Sequence, residues 1–442
     1  MNFRGELFSA TLTFVAGAAV RLVSSLILTR LLYPEAYGII AVLGSVLFII
    51  EMLSDVGVVG LVVRHERGEE RAFLDTLWTI RLARGVVNFA ILYTSAPWLA
   101  LLIGDATLQA PLRLISVYFL LNGLSSMSFV LAMRHQKSRL VGYVDLACNV
   151  VATIFVIAYS YHSRDHWGMV YGMLLERTLH AVASFAFYRN RWPRFAMDRE
   201  AIGAALAFGK YVMPTSLLTM VLSQFDRLIL ARLFDLRTLG IVGVGASVAG
   251  PADALTGRLC QFVLYPRCAA VFRDAPSALR ERYYSDNFKL LVLITALPPL
   301  VAGSGQAIID LLYDPRYREA GLVLQALMIR AVLCTFLRPA ESLLTAAGQV
   351  RVQLMANILR LAWIVPASLT GYWLYGFPGF IVLASMDALP AVVYLLRKQA
   401  QSGLLVIRYE LFRLAFVVAC FAASLAGSWL VVEAVKNVRA TA

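Results

Sequence analysis

The sequence predicts an all-α polytopic membrane protein, and three observations carry that expectation: composition, the length of the apolar blocks, and an internal repeat. Hydrophobic residues make up 60% of the 442, charged residues 15%, and mean hydropathy is +0.72. A soluble domain carries roughly a quarter charged residues, so there is too little charge to coat a water-facing surface. Blocks such as 39–53, 290–309 and 411–432 approach or exceed the roughly 20 residues that cross about 30 Å of hydrocarbon as a helix. Backbone groups in lipid must bond within their own segment or in a closed barrel, and these blocks lack the period-two alternation of barrel strands. Helices are therefore required.

Thirteen spans are expected, at 8–30, 36–62, 78–103, 110–133, 141–162, 166–189, 205–232, 238–265, 287–312, 319–346, 351–375, 377–397 and 409–435. The first apolar block has no short core followed by a small-residue cleavage site, so it reads as a retained helix. The net charge of +13 is spread in short basic clusters between apolar blocks, which encodes topology and not nucleic-acid binding. Alternate loops carry Arg64, Arg67 and Arg71; Arg134, Lys137 and Arg139; Arg189, Arg191, Arg194 and Arg199; Arg267, Arg273, Arg280 and Arg282; and Arg397, Lys398 and Arg408. The intervening loops 104–109 and 371–379 carry no cation. The positive-inside rule places the N-terminus and the basic loops in the cytoplasm.

The stretch Leu26-Ile27-Leu28-Thr29-Arg30-Leu31-Leu32 returns as Leu228-Ile229-Leu230-Ala231-Arg232-Leu233-Phe234, 202 positions later. The match continues without a gap from Gly38-Ile39 onto Gly240-Ile241 and from Val42 onto Val244. An arginine and a glycine in register beside the leucines point to duplication. Six spans separate equivalent points, and an even number restores orientation, so the halves are parallel and related by an axis along the membrane normal. The expected organisation is a six-helix lobe over 1–190, a cytoplasmic linker over 191–204, a second six-helix lobe over 205–398, and one additional helix, an appendage, over 399–442.

At these repeated segments the sequence resembles the Wzx-like oligosaccharide and polysaccharide flippases of the multidrug/oligosaccharidyl-lipid/polysaccharide exporter superfamily. The likeness rests on Leu28-Thr29-Arg30-Leu31-Leu32 with Gly38, on Ser54-Asp55-Val56-Gly57-Val58, on Phe225-Asp226-Arg227-Leu228-Ile229-Leu230 with Gly240, and on Leu343-Leu344-Thr345-Ala346-Ala347-Gly348. Each motif is short and apolar; their order and spacing carry the resemblance over the first twelve spans. It implies a MATE-like fold of two lobes around a central cavity. It also implies movement of undecaprenyl-diphosphate-linked oligosaccharide from the cytoplasmic to the periplasmic leaflet of a bacterial inner membrane. A polysaccharide polymerase and glycosyltransferases are its expected partners.

Ionisable residues inside spans are costly and default to functional candidates. Arg21, Arg258, Arg330 and Arg360 are the expected substrate-binding residues, with arginines outnumbering carboxylates around the cavity. Glu51, Asp55, Asp253 and Glu341 are candidates for coupling or ion pairing. Glu51 and Asp55 are four apart in the second span, hence on one face, and Asp253 lies 202 positions after Glu51, so the repeat would set these two acids opposite each other. Arg338 and Glu341 are close enough along the helix to pair. Arg81, Arg84 and Arg113 sit near predicted span ends, where long cations snorkel. Glu176, Arg177 and His180 are expected to pair among themselves. Of Asp226 and Arg227, which are adjacent, only one can face the cavity.

His65, His135, His162 and His166 fall in loops without metal-ligand spacing. Cys148, Cys260, Cys268, Cys334 and Cys420 form no disulfide or zinc pattern. Tyr372, Trp373, Tyr375 and Phe377 read as an interfacial belt. No Walker A motif is present, so ATP is not expected to be the direct energy source for this chain alone; no cofactor is expected. Two other functions stay open. One is a cation-coupled multidrug exporter on the same fold, which would favour acidic cavities. The other is a membrane polysaccharide polymerase or ligase, which would need a long periplasmic loop.

Overall fold

The computed structural model describes residues 3–135, 137–186, 192–349 and 351–441. Arg189 and Arg191 of the third basic loop lie outside the described residues, as does the side chain of Asp226. All regular structure among the described residues is helical. Backbone contacts divide the chain into two compact units, Met1–Gly240 and Ile241–Ala442.

The first unit begins with α1 (Phe3–Leu31), α2 (Pro34–Leu53), α3 (Val58–Arg64) and α4 (Arg71–Ile103). Three short helices follow head to tail: α5 (Gln109–Ile115), α6 (Val117–Leu124) and α7 (Ser128–Arg134). Then come α8 (Ser138–Ser163), α9 (Trp167–Ala186), α10 (Arg199–Leu233) and the start of α11 (Leu236–Leu259). The predicted second span is broken. Gly57 is left-handed at φ 71°, and the Asp55 carboxylate accepts its N–H at 2.9 Å. A Cβ on Gly57 would meet the Phe208 ring at 2.8 Å, so α10 presses directly on this turn. Asp55 therefore sits in a break between α2 and α3, not on the helix that carries Glu51.

The second unit holds the rest of α11, then α12 (Tyr265–Asp274), α13 (Leu279–Asp286), α14 (Phe288–Leu312), α15 (Ala320–Ala346), α16 (Arg351–Ser385), α17 (Ala388–Gln401) and α18 (Ile407–Thr441). Length and apolarity alone count fewer than the thirteen expected spans. Ten stretches among the described residues are long and apolar enough to cross a membrane, or eleven when the bent run 106–134 counts as one. Two physical reasons account for the difference. The stretch Arg351–Gln401 counts once but doubles back at Gly376, whose φ of 62° and ψ of −138° are not helical. Across that reversal the Trp363 indole donates to the Leu383 carbonyl at 3.1 Å, and Gly371 packs on the Gly379 backbone. The other predicted span is α9, in which Glu176, Arg177 and His180 dilute the apolar sequence. It nonetheless runs antiparallel along α8, from His180 beside Asp145 (2.9 Å) to Gly168 beside Tyr159.

Pairing directions are consistent with these assignments. α1 and α8 run parallel, with Gly142 against Thr13 and Gly17 near Leu146, as three intervening crossings require. α14 and α18 also run parallel: Ser424 donates to the Leu300 carbonyl and Ser428 to that of Gly303 at 3.3 Å. α18 is thus seated in the second unit and does not hang from it as an appendage. Its anchor is Arg413, 3% exposed, which pairs with Glu410 at 2.9 Å and lies 4.6 Å from the centre of the Phe336 ring.

The 202-residue offset holds in the element boundaries: α1 ends at Leu31 and α10 at Leu233, while α2 starts at Pro34 and α11 at Leu236. The equivalent glycines make reciprocal contacts. A Cβ on Gly38 would collide with the Leu236 carbonyl, and one on Gly240 with the Pro34 carbonyl. Gly38→Ala and Gly240→Ala should therefore each destabilise by about 1–3 kcal/mol through overpacking, read as a lower Tm in detergent. Gly44 has open space around its Cα, so Gly44→Ala should be neutral or stabilising by up to about 1 kcal/mol. Equal effects at all three positions would refute the close contact.

The segment before α10 is strapped to the α3–α4 turn. Arg67 binds Asp198 at 2.9 Å and Glu200 at 2.5 Å. The Thr76 and Thr79 hydroxyls accept the N–H groups of Asp198 (3.0 Å) and Ala196 (3.2 Å). Asp198 also caps α10 by accepting the Glu200 N–H at 2.9 Å. That amide, and then Arg67, hold the Asp198 carboxyl below its ordinary value of 3.8. A depressed carboxylate contributes stability above its unfolded pKa and loses it as pH falls through the folded pKa. A spin label at Met197→Cys should accordingly stay immobile from pH 7 to about 4 and loosen only below that. Release between pH 5 and 6 would contradict the pairing.

Candidate functional site

Each unit carries its own cluster of charges inside its spans. In the first unit Glu51 ends α2, Asp55 occupies the break, and Arg84 on α4 reaches both, at 3.9 Å and 3.5 Å. Arg84 also donates to the Ser54 carbonyl at 3.3 Å. Asn122 on α6 donates to Glu51 at 2.7 Å and accepts from Arg81 at 2.8 Å. Ser216 on α10 donates to Asp55 at 3.1 Å. This convergence depends on two small residues. A Cβ on Gly85 would lie 2.6 Å from the Phe119 carbonyl, and a Cβ on Gly123 would lie 3.2 Å from the Leu82 backbone. Their missing side chains let α4 and α6 come near enough for Arg81 to reach Asn122.

Arg81 and Arg84 thus point inward to polar partners and do not snorkel from span ends. The expected pairing of Glu176, Arg177 and His180 with one another is also replaced. Asn149 donates to Glu176 at 3.3 Å, Arg177 donates to the Tyr118 hydroxyl and stacks on its ring at 4.7 Å, and His180 meets Asp145. Glu176 and His180, four apart and so on one face, both turn to α8, whereas Arg177 turns to α6. Each finds its partner on another helix. Arg21 is exposed on α1.

In the second unit the centre is Asp387, 1% exposed, in the short break between α16 and α17. Arg360 donates to one of its oxygens from Nε (2.9 Å) and from a terminal nitrogen (2.7 Å). Arg330 lies 3.1 Å from the other oxygen. Arg338, which could have paired with Glu341 along its helix, instead binds the Asp253 carboxylate at 2.8 Å and also donates to the Asp253 carbonyl. Gly257, one turn on, leaves the room: a Cβ there would lie 2.8 Å from the Arg338 guanidinium. The charges of Arg360 and Arg338 both act on Glu341. Arg258 is exposed on α11, five residues past Asp253 and on a different face.

Sequence reasoning named Arg330, Arg360, Glu51, Asp55 and Asp253 but passed over their partners Asp387, Arg84 and Asn122. Asp387 is an isolated acid in the apolar run 377–397, and the rule that selected Glu51 would have selected it. Asn122 carries no such signal, since an uncharged amide in a span is unremarkable until its neighbours are known.

Chemically, both clusters pair guanidinium with carboxylate. Such arginines are held ready for planar, bidentate hydrogen bonding to an oxyanion.

Comparison with known proteins bears out the resemblance. The chain is 20% identical over 303 residues to the teichuronic acid biosynthesis protein TuaB of Bacillus subtilis (strain 168), covering 68% of this chain and 62% of that protein. It is 20% identical over 381 residues to the lipopolysaccharide biosynthesis protein WzxC of Escherichia coli (strain K12), covering 85% and 76%. Among solved structures it superposes on the lipid II flippase MurJ in an inward closed conformation with a TM-score of 0.71 at 12% identity, covering 96% of this chain and 92% of that one. It also matches the MATE multidrug transporter DinF-BH, with a TM-score of 0.58 at 13% identity and coverage of 90% and 94%. The MATE-like fold expected from the sequence is therefore present, and the chain is a multi-pass membrane protein. The chain spans 62% of the length of TuaB. The model of the polysaccharide biosynthesis protein family matches residues 27–320, and the chain belongs to that family.

Proposed function

We propose that the chain is a flippase. It moves a diphosphate-linked oligosaccharide on an undecaprenyl carrier, the repeat unit of a surface polysaccharide, from the cytoplasmic to the periplasmic leaflet. The observation that carries this reading is the set of arginines held inside the spans of each unit on carboxylates. A sugar head and diphosphate cannot cross hydrocarbon unaided, whereas a prenyl tail can stay in lipid. Arginines in the path offer the diphosphate charge-assisted bonds in place of water. Carboxylates such as Asp387 and Asp253 keep those arginines from standing as uncompensated buried charges when substrate is absent.

On this reading the substrate phosphates displace the carboxylates, and the freed acids exchange protons as the cavity opens to one side and then the other. Alternating access between two parallel halves fits the 202-residue duplication. On this reading the N-terminus and the basic loops face the cytoplasm across the inner membrane of a bacterium. A polymerase and glycosyltransferases acting on the same lipid-linked repeat are its expected partners. A cation-coupled drug exporter on this fold would instead need acids open to a cationic drug, and Glu51, Asp55, Asp253 and Asp387 each have an arginine within 4 Å.

A deletion strain should accumulate lipid-linked repeat units facing the cytoplasm. Arg330→Ala, Arg360→Ala and Arg84→Ala should each cut glycan export about tenfold or more while membrane protein level, followed by immunoblot, stays near normal. Wild-type export from all three variants would sink the proposal. Coupling is tested separately with Glu51→Gln and Asp253→Asn in proteoliposomes, where proton flux and transport should fall together. Normal transport by both between pH 6 and 8 would remove the acids from coupling and leave them as packing residues.

A further inference from the structure

The middle of α1 touches the first half of α8, where Gly142 meets Thr13 and Gly17 meets Leu146. Farther along the pair Leu28 packs with Ile157, and space remains beside that contact. This space is a trough of about 820 Å³, whose lining includes Val23, Ile27, Arg30, Ile154, Ala158 and Tyr161. Most of these side chains are exposed, so the trough opens sideways. Its polar groups are confined to one end. Arg30 sits in the last turn of α1 and Tyr161 two residues before the end of α8. Val23 is seven residues deeper, which on a helix is about 10 Å. A cation and a phenol at a helix end mark the interface between headgroups and hydrocarbon.

We infer that this trough is a binding site for an anionic glycerophospholipid, with the phosphate on Arg30 and one acyl chain laid along the apolar floor towards Val23 and Ile154. The charge order matches that ligand: anion-binding group at headgroup depth, apolar lining below it. A guanidinium has five N–H donors, so a contact within the protein leaves others for a phosphate. The source is the surrounding leaflet, because bulk phospholipid is in large excess there. The site is separate from the Glu51–Arg84 cluster and does not depend on what the protein transports.

The full chain in nanodiscs, with photoactivatable phosphatidylglycerol or phosphatidylcholine of the same chain length, tests the site by peptide mapping. Phosphatidylglycerol should label 23–31 and 154–161 about fivefold more than phosphatidylcholine, the preference one interfacial arginine supplies. Arg30→Gln should abolish the preference while leaving apolar labelling. Ala158→Trp should fill the trough and suppress labelling by both lipids; Ile154→Trp serves if the first variant elutes as aggregate. Equal labelling of wild type by the two lipids would overturn the proposal. So would a preference that survives Arg30→Gln. Stronger labelling by a photoactivatable polyprenyl phosphate than by phosphatidylglycerol would assign the trough to a carrier lipid and refute the phospholipid site.

Discussion

A charge carried into hydrocarbon needs a partner, and that requirement organises both units. Asp387 would be untenable at 1% exposure without Arg330 and Arg360 on either side. Each of those arginines would be equally untenable on a span without the acid. Removing one member of a buried pair costs about 3–5 kcal/mol, because the other charge stays behind. The pairs therefore fix which helices must be neighbours: α15, α16 and α17 around Asp387, α11 and α15 around Asp253, and α2 and α4 around Glu51. Arg413 does the same for α18, binding Glu410 and the Thr295 hydroxyl of α14 at 3.3 Å.

Close approach of backbones makes these pairs reachable. In lipid there is little hydrophobic drive between helices, so contact relies on small residues and interhelical hydrogen bonds. Gly85 and Gly123 bring α4 to α6, Gly303 admits Ser424 of α18, and Gly371 and Gly379 close the hairpin inside α16. Gly257 serves a different purpose, since the volume it vacates is taken by the Arg338 guanidinium. The same glycines that tighten packing thus set where guanidinium groups reside, and packing and site chemistry are one arrangement.

Much of the fold was legible in the chain because the bilayer imposes its length on apolar blocks. The 202-residue offset carries the α1–α2 junction onto the α10–α11 junction to the residue, although the spans read from sequence ended one or two residues away. The break after Leu53 was not legible, although Asp55 and Gly57 both lay in a quoted motif, because a left-handed glycine shows only in the backbone. The charged residues were legible one at a time but not in pairs. Arg338 stands three residues from Glu341 and yet binds Asp253, 85 positions away, and Arg84 was discounted for its place along α4. Helical spacing reports neighbours on one helix, and in these units the partner is on another.

The central claim is that the carboxylates compete with a diphosphate for the same arginines. Asp387 is the most direct place to measure this, because two arginines of the second unit's cluster share it. Binding and turnover of a polyprenyl-diphosphate oligosaccharide should be compared between wild type and Asp387→Asn in proteoliposomes. Competition predicts that the variant binds substrate more tightly, by about tenfold or 1.4 kcal/mol, and turns it over more slowly because the arginines have no partner to return to. Unchanged or weaker binding in a variant that still folds would contradict the account.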